Sequence, residues 1–246
     1  MTRLSVNINK IALLRNSRGG NVPDPLAVAL DCERFGADGI TVHPRPDARH
    51  IRYHDVRSLK SHLQTELNIE GNPYEPSFME LVLEVMPQQV TLVPDESAQL
   101  TSDHGWDLEM HAERLAPLIE QFQQVGIRVS VFIDPAPVHA ERAAQIGVDA
   151  VELYTEAYAR QFGGTIQVSE LINPYGETAR VAADLGLLVN AGHDLNLANL
   201  SALHQHIPWL HEVSIGHALV ADALYLGLEN AVRLYSRILQ KPSKVG

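Results

Sequence analysis

Short runs of apolar and β-branched residues recur eight times along the chain, and a longer segment of helical periodicity follows each of them. Short apolar runs bounded by turn residues predict buried strands, whereas apolar residues at spacings of three and four predict amphipathic helices. The predicted strands are 4–8, 39–42, 67–69, 90–93, 129–133, 150–153, 187–190 and 213–215. The helical segments lie near residues 24–36, 54–65, 76–87, 108–126, 137–147, 174–186, 196–207 and 218–240.

Eight strand–helix units in a chain of 246 residues predict a single α/β domain over residues 1–246, a (β/α)8 TIM barrel. The alternative is a doubly wound open sheet, which would carry fewer strands and a glycine-rich turn after the first. The sequence contains no GxGxxG motif, no Walker A motif and no linker rich in proline or serine. We therefore expect one barrel rather than an open sheet or two small domains.

Charge and cysteine content restrict the partners and the compartment. A formal net charge of −11 argues against nucleic acid or an anionic membrane surface as a partner, since both require a basic face. The first residues lack the apolar core of a signal peptide, and no apolar run is long enough to span a membrane. The one cysteine, Cys32, cannot form an intramolecular disulfide. These features predict a cytoplasmic protein without a membrane or nucleic-acid partner.

Polar side chains follow the predicted strands at the end where a barrel carries its active site. Seven of the eight strands end in an ionisable or amide group, namely Asn7 with Asn9, His43, Glu70, Asp134, Glu152, His193 and His217. The fourth strand is followed by a loop that contains Asp95, Glu96 and Thr101. Because the carboxyl ends of barrel strands meet at one rim, these groups are expected to converge there. We therefore favour an enzyme over a barrel that only binds a ligand.

Two regions of this rim are predicted to bind anions. Residues 190–193 and 215–218 are glycine-containing turns after strands seven and eight, and the second opens directly into a helix. Backbone N–H groups at a helix N-terminus bind phosphate. Arg18, followed by two glycines, and the pair Arg45 and His50 add cationic or N–H groups after strands one and two. Two phosphate-sized sites predict two phosphorylated substrates or one bisphosphate.

The residue types at the rim favour acid–base chemistry without a metal or a cofactor. The chain has only four lysines, and none of them ends strands two to eight, so a Schiff-base aldolase or a PLP enzyme is disfavoured unless Lys10 serves. His43, Glu70, His193 and His217 could hold one metal ion. We favour instead proton transfer by two histidines and one or two glutamates near neutral pH.

Several other polar and sulfur-containing side chains are interpreted as structural. We expect Asp134 to cap the next helix, and Asp47 to pair with Arg49 within its own loop. Four arginines are predicted to lie on the solvated surface, Arg3, Arg15, Arg34 and Arg57. Met79 and Met86 are predicted to lie in the core.

Motifs along nearly the whole chain resemble the pyridoxine 5′-phosphate synthase family. They are VNIN at 6–9, LRNSRGG at 14–20, GADGITVHPRPDARHI at 36–51, NIEGNP at 68–73, VELYT at 151–155, NAGHDLN at 190–196 and IGHALVADAL at 215–224. The resemblance implies a condensation of 3-amino-2-oxopropyl phosphate with 1-deoxy-D-xylulose 5-phosphate that needs no cofactor. The products are pyridoxine 5′-phosphate, phosphate and water. The resemblance also implies a barrel with extra helices, assembled as a homo-octamer.

The resemblance assigns roles to individual positions. It implies that His43 and Glu70 accept protons, that His193 donates one and that Glu152 stabilises a transition state. Positions matching contacts to the amino-ketone phosphate are Asn7, Arg18, Gly216 and His217. Positions matching contacts to the deoxyxylulose phosphate are Arg45, His50 and Thr101. Three further substrate-binding positions depart from the common family residues, because Asn9-Lys10 stands where Asp-His is frequent and Asp194 stands where glycine is frequent.

Two alternatives to this activity remain open on the residues alone. A metal-free phosphosugar isomerase or lyase on the same barrel would act on one phosphorylated substrate and would need no amine. A phosphate-binding barrel without catalysis would keep its ligand affinity after His43→Asn or Glu70→Gln.

Overall fold

The computed structural model describes residues 1–95, 102 and 104–240. Eight parallel strands form a closed barrel in which each strand pairs with the next and the last pairs with the first. The strands are β1 Arg3–Asn7, β2 Gly39–Val42, β3 Glu66–Gly71, β4 Gln89–Leu92, β5 Arg128–Ile133, β6 Ala150–Tyr154, β7 Leu188–Gly192 and β8 Leu210–Ile215. The predicted TIM barrel and all eight of its strands are confirmed.

Helices connect these strands and surround the barrel. In the described part of the chain they are α1 Asn9–Asn16, α2 Pro25–Arg34, α3 Tyr53–His62, α4 Pro76–Val85, α5 Leu108–Gln124, α6 Pro137–Gln145, α7 Glu156–Gln161, α8 Val168–Asp184, α9 Leu200–His206, α10 His217–Leu226 and α11 Leu228–Leu239. The periodicity had not predicted α1 and α7. The predicted final helix is divided in two at Gly227, whose φ is +80°.

Local sequence explains where several of these helices begin. Asp24 and Asp107 cap α2 and α5, because their carboxylates accept hydrogen bonds from backbone N–H groups in the first turn. The expected cap at Asp134 is wrong. The residue before α6 is Ala136, which makes no side-chain cap, and Asp134 instead accepts a hydrogen bond from the backbone N–H of Gly105 at 3.3 Å.

The apolar core lies between the barrel and its helices, and the inside of the barrel is polar. Alternate strand residues such as Leu4, Ile40 and Ile69 are fully buried in the core cluster. The intervening residues hydrogen-bond to one another across neighbouring strands, as when the hydroxyls of Ser5 and Thr41 lie 2.6 Å apart. Each apolar side chain buried in the outer layer contributes roughly 1.5–3 kcal/mol, so the helix-facing surfaces stabilise the barrel while its inner surface carries polar groups.

Two residues depart from their expected environments. Arg15, predicted on the surface, is completely buried in the last turn of α1 and pairs with Asp55 of α3 at 2.6 Å. Met86, predicted in the core, follows α4 in the left-handed conformation and is 52% exposed. No helix among the described residues is both long and apolar enough to cross a membrane.

Candidate active site

A cavity of about 360 Å³ opens at the carboxyl ends of the strands. It is lined by twelve of the residues predicted from the sequence, Asn7, Asn9, Lys10, His43, Arg45, His50, Glu70, Glu152, His193, Asp194, Gly216 and His217. These residues follow or end strands one, two, three, six, seven and eight, so the barrel brings together groups that are far apart in sequence.

Two predicted site residues are not placed in this cavity. Arg18 is exposed in the turn after α1 and does not line the cavity of its own chain, so its contact with a substrate stays a prediction. The reason is α1 itself, which continues the chain as a helix directly after β1 and turns Arg15, rather than Arg18, into the protein. Thr101 lies outside the described residues.

The end of β1 fixes the neighbouring acid–base groups. The side-chain oxygen of Asn9 accepts a hydrogen bond from the backbone N–H of His43 at 2.9 Å. The Asn7 side chain accepts one from the N–H of Asn9 and donates one to Oε2 of Glu70 at 3.3 Å. Asn9 is therefore engaged with the backbone that carries His43, which is a positioning contact that the sequence had not indicated.

His43 and Glu70 lie next to each other and are both buried. His43 Nδ1 and Glu70 Oε2 are 4.0 Å apart. Burial, with a further contribution from Arg45, lowers the pKa of His43 well below its usual value. Burial, with a further contribution from Asp95, raises the pKa of Glu70 to about 8. Because burial disfavours the charged form of both groups, the histidine is neutral and the glutamate protonated at neutral pH.

Glu152 is a second buried carboxyl in the cavity. Burial and then the neighbouring Glu70 raise its pKa well above the ordinary value, which favours the protonated form. Its carboxyl packs against Gly192 at the end of β7, where a Cβ atom would approach Oε1 to 2.4 Å. The glutamate therefore needs a glycine opposite it.

Arg45 and His50 also line the cavity and form a region of N–H donors near His43. Arg45 is buried, and its Nη2 lies 2.5 Å from Oδ2 of Asp95, which also accepts a hydrogen bond from Ser102. Burial, followed by the charge of Arg45, lowers the pKa of His50 to about 4. The neutral His50 ring accepts a hydrogen bond from the backbone N–H of Ile51 at Nδ1, which leaves Nε2–H as a donor.

Helix α1 holds the loop that carries His50. The Arg15 guanidinium donates to both oxygens of Asp55 and, at 3.1 Å, to the carbonyl of His50. The Asn16 side-chain amide donates to the same carbonyl at 2.8 Å. The predicted pairing of Asp47 with its neighbour two residues on is confirmed at 2.7 Å. Buried contacts from α1 and α3 therefore fix the shape of this loop.

The beginning of α10 forms the second region suited to an anion. Gly216 precedes the helix without any side-chain cap, so the first backbone N–H groups of α10 are not satisfied by a capping side chain. A Cβ atom at Gly216 would lie 3.1 Å from the Cβ of Asn7, and the glycine thus allows α10 to begin close to β1. Phosphate oxygens are the ligands that such a helix start attracts.

His193 follows β7 in an unusual backbone conformation. Its φ is +81°, and that of Asp194 is +57°, in the left-handed region that favours glycine. The imidazole packs against two aromatic rings, with its centroid 5.3 Å from that of Phe132 and 5.3 Å from that of Tyr154. Burial lowers its pKa, and the neighbouring Asp194 opposes that effect.

Sequence reasoning had not assigned six further residues that line the cavity, Ser102, Tyr154, Glu156, Leu195, Ser214 and Ala218. Strand periodicity contained a signal for one of them. Residues two apart on a strand face the same side, so Tyr154 shares the inner face of β6 with Glu152. Glu156 begins the unpredicted helix α7, and no local pattern marked it.

Comparisons with known proteins connect this site to one family. A family model described as pyridoxal phosphate biosynthesis protein PdxJ matches residues 4–241. The pyridoxine 5′-phosphate synthase of Cytophaga hutchinsonii is 58% identical over 241 residues, which cover 98% of this chain and 100% of that protein. The synthase of Bacteroides thetaiotaomicron is 55% identical over 240 residues, with 98% and 100% coverage.

Solved structures of distant sequence share the fold. A phosphoribosylanthranilate isomerase from Thermotoga maritima superposes with a TM-score of 0.60 at 15% identity, covering 98% of this chain and 99% of that one. A mutant tryptophan synthase α-subunit from Pyrococcus furiosus gives 0.62 at 12% identity, with 96% of each chain covered. At these identities the likeness shows the barrel alone.

Proposed function

This chain belongs to the PdxJ family of pyridoxal phosphate biosynthesis proteins, and we propose that its cavity is where 3-amino-2-oxopropyl phosphate condenses with 1-deoxy-D-xylulose 5-phosphate. The chain is an enzyme of vitamin B6 biosynthesis with the activity of a pyridoxine 5′-phosphate synthase. The observation that carries the site assignment is the pair of neutral His43 and protonated Glu70, set in one cavity between two regions suited to phosphate.

The two anion regions divide the substrates between them. The uncapped start of α10 at Gly216 and His217, with Asn7 beside it, would hold the amino-ketone phosphate. Arg45 and the Nε2–H of His50 would hold the deoxyxylulose phosphate, where a phosphate oxygen competes with Asp95 for the guanidinium. The reactive amine and carbonyl would then meet beside His43.

Proton transfer falls to His43 and Glu70. The neutral imidazole can accept a proton from the condensing carbon skeleton. Glu70 is protonated at neutral pH, so it first donates a proton to a departing hydroxyl and can accept one only afterwards. Its expected role as an acceptor therefore belongs to a later step than that of His43.

Glu152 and His193 act on the oxygen atoms of the intermediates. A neutral carboxylic acid at Glu152 donates a hydrogen bond to an oxygen on which negative charge develops, as an oxyanion-stabilising group does. His193, which follows the adjacent strand β7, donates to a leaving oxygen a proton that it has first taken from the substrates. The amine that forms the imine belongs to the substrate, so the chemistry requires no enzyme lysine.

Turnover with defined substrates tests the function. Purified enzyme supplied with both substrates should release phosphate and form a product with pyridoxine absorbance, and neither substrate alone should react. Turnover of a single phosphorylated substrate would favour an isomerase or lyase instead. His43→Asn and Glu70→Gln should each abolish turnover, whereas a binding barrel would show no turnover at all and unchanged phosphate affinity in both variants.

Location and assembly extend the proposal. Charged phosphorylated substrates do not cross membranes unaided, which supports a cytoplasmic location. Self-association as an octamer follows from the resemblance, and exposed apolar side chains on the adjoining helices α1 and α10 support it, among them Leu14, Leu224 and Tyr225. Light scattering of the purified protein should give eight times the mass of the 246-residue chain; a monomer would refute the octamer and leave the chemistry untouched.

A further inference from the structure

The ends of β6 and β7 are joined by one buried hydroxyl. Thr155 directly follows β6 and is fully buried. Its Oγ1 lies 2.6 Å from the carbonyl oxygen of Gly192 and 2.5 Å from that of His193. The backbone N–H of Thr155 also donates to the Gly192 carbonyl at 3.0 Å. Two successive carbonyls at the end of β7 thus converge on a single residue.

The segment held in this way has a backbone that its own residues disfavour. His193 and Asp194 both have positive φ, and left-handed backbone costs a residue other than glycine roughly 1–3 kcal/mol. Such a conformation persists only where surrounding contacts determine it. Besides Thr155, the side-chain amide of Asn199 donates to the Asp194 carbonyl at 3.2 Å. Thr155 acts on the backbone carbonyl of His193 itself.

The backbone conformation decides where the imidazole of His193 points. With φ at +81° the ring lies against Phe132 and Tyr154 and lines the cavity. Return of His193 to the ordinary region of negative φ would rotate its Cα–Cβ bond and move the ring away from those contacts. Thr155 does not line the cavity, so it influences the reaction through the residues it holds, and of Gly192 and His193 it is His193 that carries a titratable side chain into the cavity.

We propose that Thr155 is a positioning residue that holds His193 in its left-handed conformation and thereby aims the imidazole at the reacting atoms. The inference rests on the proposed role of His193 as proton donor. One hydroxyl proton is shared between the two carbonyls, as in a three-centre hydrogen bond. Valine has the same shape as threonine but cannot supply that proton, whereas serine can.

Three substitutions separate positioning from general stability. Thr155→Val should lower kcat by about tenfold or more, because a displacement of about 1 Å at a reacting group can cost a hundredfold in rate. The KM values of both substrates should change by less than about twofold, because the contacts that bind the ground state and the transition state equally well are retained. Thr155→Ser should restore most of kcat. The matched control is Thr178→Val, which removes a buried hydroxyl bonded to the Pro174 carbonyl of α8 at 2.7 Å and should leave kcat unchanged.

A double-mutant cycle with His193→Asn decides whether Thr155 acts through His193. In that background Thr155→Val should change kcat by less than about twofold, because the group it positions is already gone. An equal loss in both backgrounds, or a Thr155→Ser variant as slow as Thr155→Val, would overturn the inference. If His193→Asn is slow and Thr155→Val is not, the inference alone fails. If His193→Asn turns over like wild type, the donor role fails and takes the inference with it.

Discussion

Replacing Glu70 by glutamine should abolish turnover and yet stabilise the folded protein at neutral pH. Burial and the nearby Asp95 raise the pKa of this carboxyl to about 8, while Arg45 opposes them only in part. Glutamine resembles the protonated acid in shape and can still accept the hydrogen bond from Asn7. It is therefore compatible with the buried environment at every pH, whereas the native glutamate resists ionisation there.

The magnitude follows from the pKa difference between the folded and the unfolded chain. A carboxyl with a raised folded-state pKa carries no penalty below its ordinary value of 4.5, and the penalty grows as pH rises toward about 8. From about pH 5.5 to about pH 7 it increases by about 2 kcal/mol, at about 1.4 kcal/mol for each pH unit. For a chain of this size, 1 kcal/mol shifts Tm by about 2–4 °C. The advantage of Glu70→Gln should thus grow by roughly 4–8 °C over that interval.

Thermal unfolding followed by circular dichroism at the two pH values measures this difference. Glu66→Gln on the same strand is the control, because Glu66 accepts from Arg3 at 2.6 Å and also pairs with Arg128. It should lower Tm at both pH values, by an amount that corresponds to about 1 kcal/mol for partly exposed partners. A Tm difference between Glu70→Gln and wild type that is the same at both pH values would refute the reasoning.

Three further predictions concern the loop and the strand ends. Arg15→Met should lower the free energy of unfolding by about 3–5 kcal/mol in urea titrations, since it leaves the Asp55 charge buried without its partner; a loss below about 1 kcal/mol would contradict this. His50→Gln, a neutral N–H donor, should keep the KM for the deoxyxylulose substrate within about threefold of wild type at neutral pH, whereas His50→Leu should raise it about tenfold. Equal effects of the two substitutions would contradict binding of the phosphate through the neutral Nε2–H of His50. Gly192→Ala should lower kcat at least about tenfold by displacing Glu152. A wild-type kcat would show that the backbone at the end of β7 shifts to accommodate the methyl group without displacing Glu152.

The sequence predicted the barrel well because its strands are local patterns, and it predicted less where the chain departs from them. Helix α1 follows β1 after a single residue, without the turn signals that mark the other helices. Missing α1 led directly to the wrong environment for Arg15. The partner of Arg15 is Asp55, forty positions away, and no local spacing announces such a contact.

The site was predictable as a set of residues but not as an arrangement. Strand ends identify His43, Glu70 and Glu152 because a barrel gathers its carboxyl ends at one rim. The raised pKa of Glu152 comes first from burial inside the closed barrel and then from Glu70 on another strand, and neither follows from the local sequence. The positive φ of His193 was equally invisible, since a residue other than glycine gives no sign of it, and its cause lies in Thr155.

Burial of the whole pair, rather than of either partner, explains how one cavity offers an acid and a base together. An exposed glutamate would be ionised at neutral pH and could not donate, and an exposed histidine would be partly protonated and to that extent unable to accept. Desolvation moves the pKa of Glu70 upward and that of His43 downward, so both groups become neutral and available at the same pH. A proton passing from substrate to His43, and another from Glu70 to a leaving hydroxyl, would create opposite charges 4.0 Å apart that stabilise each other. Condensation with loss of water needs both transfers, which is why the polar interior of this barrel suits it.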